Sequence, residues 1–257
     1  MSNQHKSDSN DAIAYYNKGG SAAKLEQYEE AIENFSKAIE LDPEYAIAYY
    51  SRGWSYNELE QYQEAIEDST KAIDLNPDDA IAYSIRGFSY MKLEQFEKAI
   101  EDYTKSIELN PDNSDNIAYY NRGLCYRDLE EYGKSIEDFT KSIELNELDS
   151  DGAIAYNNRG LSYRDLEEYE KAIEDYTKAI ELNPDDPDGY YNRGLSYIDL
   201  EEYEKAIEDS TKAIELNPEY ADAYNNRSLC YRDYAEKLEE KANADDNKYH
   251  ELEKNER

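Results

Sequence analysis

Histidine, cysteine, proline and cations are all scarce in this chain. Its 257 residues hold two His, two Cys and six Pro, with 28 basic side chains against 61 acidic ones and a formal net charge of −33. Each shortage excludes something. His5 and His250 lie near opposite ends of the chain, so no histidine stands beside a fixed nucleophile as a general base. No Gly-x4-Gly-Lys-Ser/Thr loop and no Gly-x-Gly-x-x-Gly occurs, which removes the common phosphate and dinucleotide cradles. The chain is therefore read as a non-enzyme with no cofactor. Too few cations are present to neutralise a phosphate backbone, so nucleic acid and anionic membrane are not expected partners; a basic, or neutral and polar, protein is. No apolar run approaches the roughly 20 residues of a membrane span. The start, Met-Ser-Asn-Gln-His-Lys-Ser-Asp, lacks a signal-peptide core, and a cytoplasmic location is the expectation.

Metal is excluded on similar grounds. Asp149-Ser150-Asp151-Gly152 resembles part of a calcium loop, but the frame that fits it runs from Glu147 to Asn158 and lacks a ligand at both ends. Carboxylates elsewhere follow outward positions of a repeating pattern.

That pattern is what the chain does have. A 34-residue phrase recurs in copies at 12–45, 46–79, 80–113, 116–149, 153–186 and 187–220, and a partial seventh begins at Ala221. In the fifth copy Tyr156, Gly160 and Tyr163 occupy positions 4, 8 and 11, one side of a helix. Ala172, Tyr176, Ala179 and Leu182 form a second stripe. The link Leu166–Tyr169 suits only a tight helix-to-helix connection, and Asn183-Pro184 ends the second helix. Each copy thus predicts an antiparallel helix pair. Gly19, Gly53, Gly87, Gly123, Gly160 and Gly194 share position 8, and a small residue recurs at position 20. A helical glycine costs about 1 kcal/mol against alanine, so close helix approach is expected there. Tyrosines up to Tyr231 fall at positions 4, 5, 11, 17, 24 or 34, read mostly as core. Cys125 and Cys230 share position 10, three repeats apart and too distant to bridge.

These copies resemble the tetratricopeptide repeat, whose pattern runs W-x2-L-G-x2-Y, then A-x3-F, A and P. Tyrosine takes the tryptophan site seven times, from Tyr15 to Tyr224. The leucine site is basic: Lys18, Arg52, Arg86, Arg122, Arg159, Arg193 and Arg227. Such a side chain is expected to lay its stem along the helix pair and reach water with its head. Glu26, Glu60, Glu94, Glu130, Glu167 and Glu201 occupy a turn where the family often has glycine, which predicts weakened helix ends. The resemblance implies an all-α, right-handed α-solenoid, stabilised by stacking of neighbours.

On each first helix, positions 2, 5, 9 and 12 form another stripe about 100° from the first. It holds Ile13, Ile47, Ile81, Ile117 and Ile154 at position 2, and Tyr16, Tyr50, Tyr120 and Tyr191 at position 5. Position 9 has Trp54, Phe88, Leu124, Leu161 and Leu195; position 12 has Arg127, Arg164 and Arg232. In the family these positions line a concave peptide groove. Asn17, Asn121, Asn158, Asn192 and Asn226 at position 6 offer a donor and an acceptor to a peptide backbone, and Trp, Tyr and Arg are common interface anchors. Packing between repeats is the alternative use of this stripe. The two-carboxylate clamp of chaperone-binding relatives is missing, since no three consecutive copies carry its lysines, arginine and asparagines.

At the margins, residues 1–11 are polar and expected to be disordered. Ser114-Asp115 and Ser150-Asp151-Gly152 are insertions that predict a bend around the fourth copy. Over 221–242, Tyr231, Tyr234, Ala235, Leu238 and Ala242 make an apolar stripe read as a cap on the last repeat, with 243–257 a polar tail. The functional expectation is a scaffold that binds a partner's peptide segment in the groove. The alternative is a structural spacer or self-assembling module.

Overall fold

The computed structural model describes residues 2–110, 116–145 and 150–255. Within them lie thirteen helices and no strand. They form two compact units, Met1–Leu145 and Asn146–Arg257. The first contains α1 (Ser2–Ala23), α2 (Tyr28–Leu41), α3 (Ala46–Glu58), α4 (Tyr62–Leu75), α5 (Ala80–Lys92), α6 (Phe96–Leu109), α7 (Asn116–Asp128) and α8 (Tyr132–Leu145). The second contains α9 (Ser150–Asp165), α10 (Tyr169–Leu182), α11 (Pro187–Asp199), α12 (Tyr203–Leu216) and α13 (Ala221–Asn255). Inside each unit every odd-numbered helix but α13 packs on the even one that follows, each even helix but α8 packs on the next odd one, and successive odd helices touch. Each unit is thus an α-solenoid of antiparallel pairs. The first insertion and Asp149 lie outside the described residues, while Ser150, Asp151 and Gly152, the second insertion, form the first turn of α9.

Local chemistry explains the turns. The first helix of each pair ends with a hydrogen bond such as Gln61 N to Tyr56 O (2.8 Å), and Glu60 N donates to Asn57 O (3.0 Å). This is the 6→1 and 5→2 closure of a left-handed C-cap. All six glutamates at this site have φ between 57° and 60°, the conformation that favours glycine.

The glycines at position 8 have no positive φ; space is their reason. A Cβ on Gly160 would sit 2.7 Å from the Tyr176 ring, and one on Gly19 2.7 Å from Phe35. These rings at position 24, with Tyr103 and Phe139, are the largest fully buried side chains. The other tyrosine positions are half-buried or exposed rather than core, because a helix pair encloses only one such site. Cys125 and Cys230 are free and buried.

The basic residues at position 7 behave differently from expectation. From Arg52 to Arg193 the guanidinium is held by a carboxylate, with 15–19% of each side chain left exposed, whereas Lys18 is exposed. Arg86 donates from Nε to Asp102 Oδ2 (2.7 Å) and from Nη2 to Asp102 Oδ1 (2.7 Å), while Nη1 reaches Thr70 of the preceding repeat (3.1 Å). Arg52 grips Asp68 and Ser36 in this way, Arg122 grips Asp138 and Thr104, and Arg193 grips Asp209 and Thr177. Arg159 pairs with Asp175 through Nε and Nη2, both at 2.7 Å. Tyrosines at positions 4 and 11 flank most of these heads, as Tyr83 (5.6 Å) and Tyr90 (6.0 Å) flank Arg86. Burial raises each of these aspartates above the usual carboxylate value, and the guanidinium offsets part of that rise. The guanidinium stays charged, and its two parallel donors fit a carboxylate, so the pair is an ion pair at neutral pH. A ladder of forked ion pairs therefore stitches helix to helix and repeat to repeat.

The helices at both ends of the chain are long. Helix α1 reaches back to Ser2, and α13 continues to Asn255. Neither 1–11 nor 243–257 contains Gly or Pro, and extending an existing helix needs no new nucleus. On α13, Tyr231, Ala235, Leu238 and Ala242 face outward. The helix docks on α12 through buried Ala223, Asn226 and Cys230, with Tyr234 donating to Glu204 and Lys237 to Glu201 (2.8 Å).

Candidate functional site

Because α1, α3, α5 and α7 lie side by side, their second stripes merge into one surface in the first unit. Two cavities open there. One, of about 360 Å³, is lined by Tyr16, Gly20, Ala23, Lys24, Phe35, Tyr50, Ser51, Trp54, Ile81 and Ile85. The other, of about 290 Å³, is lined by Trp54, Asn57, Glu58, Ile81, Ser84, Ile85, Phe88, Tyr103, Ile117 and Asn121. Trp54, Ile81 and Ile85 belong to both, so they are lobes of a single groove.

Each wall has a local cause. Position 9 is Trp54 on α3 and Phe88 on α5, but Gly20 on α1, and a Cβ added at Gly20 would meet nothing within 4 Å. That missing side chain leaves room beside the indole. Trp54 itself is held edge-on to Tyr28, centroids 5.6 Å apart at 77°. Ile81 and Ile117 are 54% and 62% exposed and add bare apolar surface to the rim. Lys24 stands at one lobe and Glu58 at the other, and Lys92 Nζ lies 5.3 Å from the Phe88 ring centroid.

Among the polar linings, Asn57 is spent on structure: Nδ2 donates to Ile85 O (3.2 Å) and Oδ1 accepts from Ser89 (2.7 Å). Ser84 shares a hydrogen bond with Ser106 (3.1 Å). Asn121 is only 9% exposed, and among the described residues its amide has no hydrogen-bond partner. It faces the cavity with a free donor and acceptor. The Tyr50 hydroxyl is pushed up to about 12 by burial and by Asp79, so it is a neutral donor at any ordinary pH.

The structure thus gathers Tyr50, Trp54, Phe88 and Asn121 from the expected groove residues, and disperses the others. Asn17 lines a separate cavity with Lys18, Ser21, Leu25 and Asn34. Tyr120 is packed on Phe139 (5.7 Å); Leu124 and Arg127 are half-buried on α7. In the second unit Asn158 donates to Ile154 O (2.9 Å) and Arg164 pairs with Asp199 (2.9 Å). Tyr191 stacks on Tyr220 (5.0 Å), and Asn192 donates to Asn157 (3.0 Å). Leu161 and Leu195 are half-buried, and Asn226 is buried with Nδ2 unpaired. Gly20, Ile85 and Ser84 are groove residues that the stripe did not single out. The odd glycine at position 9 was the available signal for the first.

No helix among the described residues is long and apolar enough to cross a membrane. No group of three or more His, Cys, Asp or Glu among them could hold a metal ion.

Comparison with known proteins agrees with this architecture. A tetratricopeptide repeat model matches residues 12–45, 46–79, 80–113, 117–147 and 187–220, and a second TPR repeat model matches 160–200. Among solved structures the chain is similar to YrrB, described as a TPR protein with an unusual peptide-binding site. That similarity has 27% identity and a TM-score of 0.65 over 76% of this chain and 97% of that one. It is similar to MamA at 26% identity and a TM-score of 0.60, over 67% and 92% of the two chains. Pseudomonas aeruginosa pilF shares the fold, with a TM-score of 0.70 at 17% identity over 90% and 99%. No match was found among curated protein sequences. The repeats, their pairing and the matched models lead to one statement: this chain belongs to the tetratricopeptide repeat family, built as a protein–protein interaction scaffold.

Proposed function

We propose that the first unit captures a peptide segment of a partner protein in the groove around Trp54, without catalysis. The observation that carries this reading is the pairing of two apolar lobes with Asn121, a residue only 9% exposed whose amide has no hydrogen-bond partner among the described residues. Largely apolar hollows with a few placed polar groups are the usual form of a binding site. The lobes take two large apolar side chains, and Asn121 takes a backbone N–H or C=O between or beside them. The peptide-binding site named for YrrB supports the same use of this fold. A net charge of −33 favours a basic or neutral segment and repels nucleic acid and anionic lipid.

Trp54 is the only tryptophan, so its emission reports on the site. Peptides selected for binding from a display library are expected to be apolar and basic and to shift Trp54 emission to the blue. Ile81→Lys and Asn121→Ala should each weaken them by tenfold or more with helicity unchanged. Tyr120, packed on Phe139, is left intact in this test. Selected peptides that bind without altering Trp54 emission, and that tolerate both substitutions, would refute the assignment.

A further inference from the structure

The face of α13 turned to solvent has a regular composition. In a complete repeat, positions 4, 8 and 11 of the first helix pack on the second helix. In the seventh copy those positions are Tyr224, Ser228 and Tyr231, but α13 runs straight on and no second helix folds back. Tyr224, Tyr231 and Leu238 are consequently 44%, 55% and 48% exposed. Arg227 shows the same incompleteness: it donates to Thr211 (3.0 Å) like its predecessors, yet the aspartate of its own repeat does not exist.

The exposed side chains continue in heptads. Tyr224, Ser228, Tyr231, Ala235, Leu238, Ala242 and Asp245 are spaced alternately four and three residues apart, and all are exposed. This is the a/d spacing of a two-helix coiled coil. Large residues hold every d position to Leu238, and Ala235 and Ala242 hold a positions. Bulky d residues opposite small a residues suit an antiparallel pair, where a faces d across the seam.

We propose that α13 pairs with α13 of a second copy as an antiparallel coiled coil, making the protein a dimer. The sequence is complementary to its own reverse in one register. Tyr231 of one copy lies on Ala242 of the other, Leu238 lies on Ala235, and the carboxylate of Asp245 accepts from Ser228. Flanking the seam, Arg232 meets Glu239. Among the described residues Arg232 reaches only its neighbour Asp233 (3.3 Å), and its side chain is 71% exposed, so it is available to change partner. The polar Ser228–Asp245 layer fixes the register, as a polar residue at the seam does. This dimer is independent of the Trp54 groove, which lies in the other unit.

Sedimentation velocity on the full chain, from low to high micromolar, tests the pairing. The mass is expected to rise from one chain to two. The rise should come at lower concentration in about 0.5 M salt, which screens the self-repulsion of a −33 chain. Leu238→Lys and Ala242→Lys, both at exposed positions, should stay monomeric with unchanged helicity. Trp54→Ala should dimerise like the parent. For orientation, Tyr231→Cys and Ala242→Cys chains should form a disulfide when mixed and not when oxidised separately. A monomer across the range at both salts would overturn the proposal. So would a dimer that survives both lysine variants, or cross-linking of either cysteine variant alone.

Discussion

Replacing Arg86 by methionine isolates the ion-pair ladder. The forked contact to Asp102 at 2.7 Å is worth about 6 kcal/mol of gross attraction at an effective dielectric of 20. Desolvating each ion costs several kcal/mol, so the pair adds little net stability. Breaking it is another matter. Asp102 is 5% exposed, and with the guanidinium gone it stays buried without a counter-charge, a loss of about 3–5 kcal/mol. Native-state hydrogen exchange of the α5 and α6 amides reads this directly, as protection falling by roughly two to three and a half powers of ten. Arg86→Met with Asp102→Leu removes both charges and should return to within about 1 kcal/mol of the parent. The pH dependence has a definite sign. Burial already raises Asp102 against the pull of Arg86, and removing Arg86 raises it further. A carboxyl raised in the folded state favours folding in its protonated form, so the Arg86→Met penalty is largest at neutral pH and shrinks as pH falls through the folded-state value. A cost below about 1 kcal/mol at pH 7, or one that grows on acidification, would show that this side chain ends in water after all.

The remaining predictions concern packing, backbone and thiols. Gly194→Ala should stabilise the second unit by up to about 1 kcal/mol, since the new Cβ meets Asp209 Cβ at an ordinary 3.4 Å. Gly160→Ala should instead destabilise it by about 1–2 kcal/mol, the Tyr176 ring being 2.7 Å away; urea melts of the two variants must move in opposite directions. Glu167→Gly should raise stability by about 0.5–1 kcal/mol, the relief of a left-handed residue less the added freedom of the unfolded chain. Thermal melts check it, and no gain would mean that the glutamate makes a compensating contact. Cys125, its thiol pushed up to about 12 by burial and Asp128, has a thiolate fraction of about 10⁻⁴ at pH 8. Alkylation there should follow unfolding rather than reagent concentration.

Periodicity made much of the architecture legible. A 34-residue period, glycine at position 8 and proline after the second helix are local or register-bound signals, and they specify helix pairs without reference to any distant residue. The left-handed turn at Glu60 and its counterparts was legible too, because a family turn that favours glycine imposes its φ on whatever stands there. Positions 5, 6 and 9 put Trp54, Phe88 and Asn121 among the groove candidates, but they could not separate them from Tyr120 or Asn192. All five lie at comparable places on a helix; whether a residue meets a cavity or a neighbour depends on what the adjacent repeat presents, as Gly20 and Asn157 show.

Composition and spacing alone determined the class of this protein: an acidic, all-helical array of repeated helix pairs. Tertiary structure decided the fate of its charges and its last helix. Arg86 and Asp102 are 16 residues apart on different helices, and only their packing turns two apparently surface charges into a buried pair. One trace of this was visible beforehand, since the first copy alone has Lys18 with Asn34 where the next five have arginine with aspartate. The outward face of α13 had no such trace. An apolar stripe reads the same whether it covers a neighbour or awaits one, because burial is a property of two surfaces and a sequence displays only one.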